Sequence, residues 1–183
     1  MTFFFIRSQI IPMSENLSIR LATEKDDAFL GELLIQSFVE TYAKKMPEVV
    51  VSEKRKLDLR NLKSKRDTAK VFVAQSGGQV VGTVTLFPSS HPETESWKSK
   101  SCDLRYMAVD PTFQGKGVAD QLIEACKTQV KEWQLEFICL HVRRGAGGIA
   151  RFYEKHGFIR EGVGDLDQLP EIYLEGYFWS VKD

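Results

Sequence analysis

The sequence has no surplus of either charge: Lys and Arg together number 25, and so do Asp and Glu. No global field draws such a chain to nucleic acid or to a membrane surface. It also has no apolar stretch near the roughly 20 residues that a membrane helix needs. Cysteine is scarce and odd in number. Cys102, Cys126 and Cys139 fall on predicted strands or on a helix face. That argues against a disulfide framework and suits reduced thiols serving as small core fillers in a cytoplasmic protein. His141 and His156 have no companions at metal-ligand spacing, so no metal is expected and both read as structural or solvated.

Two phosphate-binding patterns are missing as well. A Walker loop requires Ser or Thr after its lysine, but Lys116 is followed by Gly117, which removes the magnesium-binding hydroxyl. The dinucleotide fingerprint would place its third glycine at Asp120, where a carboxylate would repel a pyrophosphate unless turned away. What is present is an apolar strand ending near Val109, then Pro111, then Gln114-Gly115-Lys116-Gly117-Val118-Ala119 at a helix start. Unpaired backbone N–H groups there point forward and can hold an anion. Small residues at 115, 117 and 119 let the backbone approach closely, so a pyrophosphate is the expected ligand.

Beyond this turn, Val118, Leu122, Cys126 and Val130 recur at fours with Ile123 and Trp133 beside them, the stripe of an amphipathic helix packed on a sheet. Phe137 to Val142 is an almost unbroken apolar run that suits a parallel strand reached by a right-handed crossover. Gly147 to Phe158 then reads as a short helix stopped by Gly157. Gln114-x-x-Gly117-x-Ala119 resembles the coenzyme A loop of the GCN5-related N-acetyltransferases, the GNAT superfamily. Phe152-Tyr153-x-x-x-Gly157-Phe158 resembles the second signature of the same family.

The remaining elements fit that resemblance over about residues 17 to 181. Leu17 to Leu21 reads as a strand, and Thr23 to Asp26 as a capping box before a helix carrying Phe29, Leu30, Leu33, Leu34 and Phe38. A second helix is predicted over about 50 to 64. Val71 to Gln75 and Gln79 to Phe87 form a hairpin through Ser76-Gly77-Gly78. Pro88 to Lys100 is a surface loop, Cys102 to Val109 a strand, and Phe158 to Gly162 and Glu171 to Val181 the last two strands. The fold class implied is α+β in three layers. A mostly antiparallel sheet of six to seven strands, with one splayed parallel pair, carries helices on both faces. Residues 1 to 16 read as an N-terminal extension to a single domain over 17 to 183, with Met13 a possible alternative start. Phe3 to Ile6 are broken by Arg7 and preceded by no basic region, so they do not make a signal peptide.

The resemblance implies acetyl-CoA as cofactor, and an acetyl group moved by direct attack to a primary amine of a small molecule or peptide. The main chain of Met107 and Val109 would bond the pantetheine arm, and the loop residues Gln114, Gly115, Lys116, Gly117, Val118 and Ala119 would meet the pyrophosphate. It also assigns Tyr153 as the proton donor. A departing thiolate has a conjugate acid of pKa about 8.5 and a phenol lies near 10, close enough to share a proton. The first candidate base for the ammonium is Asp103, on the strand leading to the loop, although exposure at the surface is its commoner fate. Glu40, Glu171 and Glu175 are weaker candidates. The acidic run Glu161, Asp165, Asp167, Glu171 and Glu175 can draw a cationic amine or simply be solvated. The basic stretch from Lys54 to Arg66 reads as a wet helix face. One departure stands out: Ala146 occupies a position where many relatives carry asparagine. An alternative reading therefore stays open, a module that binds acyl-CoA without turnover. No nucleic acid or membrane partner is expected, and the oligomer is a monomer or homodimer.

Overall fold

The computed structural model describes residues 17–40, 50–169 and 172–182. The N-terminal stretch 1–16, which holds Met13, the segment 41–49 and Glu171 lie outside the described residues. The elements are β1 (Ser18–Leu21), α1 (Asp27–Ile35), α2 (Glu53–Arg60), α3 (Leu62–Thr68), β2 (Lys70–Ser76), β3 (Gln79–Pro88) and β4 (Ser101–Val109). There follow α4 (Val118–Glu132), β5 (Phe137–Arg143), α5 (Gly147–Lys155), β6 (Ile159–Arg160), β7 (Leu166–Gln168) and β8 (Ile172–Ser180).

All the described strands join one sheet in the order β1-β2-β3-β4-β5-β8-β6, with β7 also paired to β8. This is the expected mixed architecture with one more strand than predicted. The addition is β7, whose three residues are too few to show an alternation in sequence. The expected strand from Phe158 to Gly162 is reduced to Ile159–Arg160, because Gly162–Gly164 turns as a 3-10 helix. The single helix expected over 50 to 64 is two. Asn61 adopts φ −81 and ψ 68 between them, and its side chain accepts from the N–H of Ser64. A residue that caps one helix cannot also continue the previous one.

Two cores sandwich the sheet. On one face Leu122, Ile123, Cys126 and Val130 of α4 pack with Tyr153 and Phe158 on Val84, Leu86, Ile138 and Leu140. On the other face Leu30, Leu33 and Leu34 of α1 meet Leu59, Leu62, Val71, Val73 and Phe87. Gly82 of β3 permits the close seat of α4. A Cβ there would stand 2.8 Å from Val118 Cγ1 and 3.1 Å from the Ala108 carbonyl, inside the contact limit of packed interiors.

β4 contains the irregularity that shapes the site. Arg105 pairs with Thr85 and Ala108 with Thr83, so Tyr106 and Met107 together oppose one residue of β3. This is a bulge, and Tyr106 takes φ 56 within it. The bulge reverses the side-chain alternation. Cys102 and Leu104 face the α4 core before it, whereas Tyr106 and Ala108 face the α1 core after it. Met107 and Val109 thereby turn toward α4 and pack against its core.

Candidate active site

Among the described residues the only parallel pairing is β4 with β5, and it is short: Ser101 with Phe137, Cys102 with Ile138 and Asp103 with Cys139. Past Asp103 no residue of β4 pairs with β5, so the two strands part and leave an open edge from Leu104 to Val109. Peptide groups along such an edge need partners. The gap runs toward the turn between β4 and α4.

That turn has the predicted form. Asp110 accepts from the N–H of Thr112 at 2.8 Å and starts a 3-10 turn over Pro111–Phe113. Gly115 and Gly117 have φ of 75 and 80, values that glycine adopts without steric cost. Gly117 is the N-cap of α4 and offers no side chain to cap it. Among the described residues the N–H groups of Val118, Ala119 and Asp120 find no acceptor, which leaves the helix end open to an anion. No atom lies within 4 Å of where a Cβ would stand on Gly115 or Gly117. Val118 sends its side chain into the core, so only its N–H is free for a ligand. Gln114 and Lys116 are exposed, and the Lys116 ammonium lies 4.7 Å from the ring centre of Phe113. The carboxylate of Asp120 accepts from His156 Nε2 at 3.1 Å, with Lys155 Nζ at 4.0 Å. It is thus turned toward the end of α5 and balanced there, and His156 has this structural role. The geometry suits a bound pyrophosphate.

Tyr153 stands beside the bulge. Its ring is buried against Phe152 and Phe158, and its hydroxyl lies 3.8 Å from the Met107 sulfur. The tyrosine from α5 therefore meets the open edge of β4 on the α4 face of the sheet.

The opposite face holds a polar group. Asp103 is fully buried rather than exposed. Its Oδ2 accepts from Arg105 Nε at 2.7 Å and from the main-chain N–H of Glu95 at 2.9 Å, while Oδ1 has no partner among the described residues. The loop after β3 is accordingly tied to the sheet. It brings Glu95 to Arg105 and the indole of Trp97 to His141, with ring centres 5.4 Å apart. Gly164 and Gly176 make this possible, since a Cβ on Gly164 would strike the Trp97 ring and one on Gly176 would lie 2.7 Å from the Gly164 backbone. Sequence reasoning missed Glu95 and Trp97, because a Ser- and Glu-rich loop gives no sign of which residues fold back onto the sheet.

The sequence model of the family described as an acetyltransferase (GNAT) domain matches residues 67–160, just over half of the chain. The chain belongs to the GNAT acetyltransferase family. Solved structures agree on the fold. A GNAT-family acetyltransferase from Staphylococcus aureus Mu50 has 18% identity and a TM-score of 0.70, with 91% of this chain and 99% of that chain covered. A ribosomal-protein-alanine N-acetyltransferase from Brucella melitensis has 23% identity and a TM-score of 0.64, covering 90% of this chain and 100% of that one. Ard1 from Thermoplasma volcanium has 21% identity and a TM-score of 0.64, covering 90% and 97%. No curated protein matches the sequence.

Within this GNAT domain the charged stretches prove mostly self-neutralised. Arg55 pairs with Asp58, Lys56 with Glu53, Arg60 with Glu32, Lys63 with Asp67 and Arg66 with Asp27. Lys65 is buried, donating to Asp58 and Asn61 over the Tyr106 ring. Burial pushes its ammonium down from the usual lysine range against the opposing pull of Asp58. In the acidic run, Glu161 accepts from Trp97 and Lys98, Asp165 from Arg160, Tyr173 and Gly176, and Glu175 pairs with Arg144. Glu161, Asp165 and Glu175 are therefore tied into the scaffold. The three cysteines are free and buried, and burial pushes every one of their thiols above the ordinary range. A cleft of about 340 Å³ beside Leu21, Lys70, Pro88 and Trp133 lies at the far end of β2 and β3 and includes none of these site residues.

Proposed function

We propose that this GNAT domain moves an acetyl group from acetyl-CoA to a primary amine of a small molecule or peptide, by direct attack in a ternary complex. The observation that carries the reading is the parting of β4 and β5 after Asp103 and Cys139. It gives an open strand edge that leads at one end to free N–H groups and passes Tyr153 on the way. Gly115, Gly117, Val118 and Ala119 would hold the pyrophosphate, with Gln114 and Lys116 at the rim, and Met107 and Val109 would border the pantetheine. When bound, the cofactor supplies an activated acetyl carbonyl and a thiolate leaving group.

The chain's own residues do the rest. The open edge orients the carbonyl by main-chain hydrogen bonds, and a fixed donor aimed at developing negative charge is typically worth about 2.7 to 4 kcal/mol. The Tyr153 hydroxyl gives its proton on the α4 side of the gap, where the Met107 sulfur marks its position. Direct attack is favoured over a covalent thioester on the protein, because each cysteine is buried with its thiolate disfavoured. The same thiols support a reducing, cytoplasmic setting. Residues 1 to 16 are proposed as an extension to the domain.

The experiment is release of free thiol from acetyl-CoA in the presence of a panel of amines. Amine-dependent release supports transfer. Tight coenzyme A binding without release on any amine would favour the binding-module reading, for which Ala146 at the start of α5 is the specific observation.

A further inference from the structure

The Nε2 of His141 lies 2.8 Å from the Gly164 carbonyl oxygen, an acceptor, so Nε2 carries a hydrogen, and in the neutral ring Nδ1 carries the lone pair. That lone pair faces Glu95 Oε2 at 3.9 Å. Two acceptors across such a distance repel unless a donor stands between them. Nearby, the Oδ1 of fully buried Asp103 has no partner among the described residues, at the point where β4 and β5 part. Buried acceptors without partners are costly and mark a place where a donor belongs. Glu95 Oε2 and His141 Nδ1 therefore face each other near the closed end of the gap, on the face opposite Tyr153, with Asp103 bonded to the Glu95 main chain.

We propose that Glu95 and His141 form the binding and deprotonating site for the acceptor's ammonium, and that Asp103 is the positioning residue which holds Glu95 there. The proposal rests on the acetyl-transfer reading and deepens it by naming the residues that receive the amine and take its proton. Glu95 is the member open to solvent, with a side chain 39% exposed against 6% for His141. An ammonium lodged between Oε2 and Nδ1 gives one N–H to each. Transfer of one proton to Nδ1 leaves a neutral amine with its lone pair free and an imidazolium flanked by Glu95. The proton then leaves to solvent past Glu95. The second ammonium proton, shed as the amide forms, balances the thiolate that Tyr153 has protonated. The other charged groups facing the pair are Arg105 and Asp103 from β4, with Lys98 and Glu161 behind Trp97. Arg105 is already bound by Asp103, which leaves Glu95 able to accept a second cation.

The test uses the full chain without cofactor, so that it stands apart from acetyl transfer itself. The side-chain nitrogen resonances of His141 are followed while n-butylammonium chloride is added, with tetramethylammonium chloride as a control that has the charge but no N–H. A saturable shift at Nδ1 with n-butylammonium, absent with tetramethylammonium and weakened at least tenfold in Glu95→Gln, is the expected result. No shift, equal shifts with both cations, or a Glu95→Gln variant that responds as the parent does would overturn the proposal. In turnover, His141→Gln keeps a donor for Gly164 but cannot take a proton. It should lower kcat/KM by 10²-fold or more near neutrality and recover at high pH, where the amine is already neutral. An unchanged pH profile with normal cofactor binding counts against the pair, whereas loss of cofactor binding in the parent protein would count against the acetyl-transfer reading alone.

Discussion

The hydroxyl of Tyr153 and the sulfur of Met107 lie 3.8 Å apart, which joins α5 to the bulge of β4 across the strand edge left open by β5. Neither residue would reach the other without the positive φ of Tyr106, because the bulge turns Met107 from the α1 face to the α4 face. A proton donor and an open peptide edge are thereby brought to one place.

Tyr153→Phe keeps the ring in its core and removes only the hydroxyl. Turnover should fall about 10²-fold or more while the coenzyme A Kd stays within about twofold, as a general acid contributes at this scale. Steady-state kinetics beside calorimetry separates the two effects. Unchanged turnover would return Tyr153 to a packing role.

Gly117 has φ of 80 and open space where a side chain would project. Gly117→Glu should abolish cofactor binding by setting a carboxylate at the helix N-terminus. Gly117→Ala should bind more weakly than the parent, since a left-handed residue other than glycine costs about 1 to 2 kcal/mol. Calorimetric affinities of the two variants check this, and parent-like binding by Gly117→Glu would count against the loop.

Gly82→Val inserts a branched side chain into the contact between β3 and α4, where Val118 already stands. Overpacking of this kind costs roughly 1 to 3 kcal/mol. The variant should unfold at a lower Tm and, through displacement of Val118, bind coenzyme A less tightly.

Asp165 couples the turn under His141 to acid stability. Burial pushes its carboxyl upward, but the Gly176 N–H, Arg160 and Tyr173 outweigh it and bring the pKa down to about 2. A depressed carboxylate pKa adds stability above the ordinary value, and that contribution is lost as pH falls from about 4 toward 2. After allowance for solvent screening it is on the order of 1 kcal/mol. Asp165→Asn should destabilise the protein at neutral pH and flatten the fall in stability over that window, measured by denaturant unfolding at several pH values.

Much of this was readable from residue order. The turn from Gln114 to Ala119, the stripe on α4 and the Phe152-Tyr153 helix depend on local spacing, and all three form where spacing puts them. What escaped depends on contacts between distant segments. Gly82 looks like any strand glycine until α4 lies on it. The bulge at Tyr106 has no glycine to announce it, and Asp103 appears solvent-facing until the loop carrying Glu95 folds over it. The break at Asn61 was hidden because its flanks have the same basic, helix-favouring composition.

The most direct test of the central claim is calorimetric titration of the full-length protein with coenzyme A. The account predicts saturable heat from one site per chain, competed away by acetyl-CoA. Well-folded protein that gives no heat with either form would contradict it.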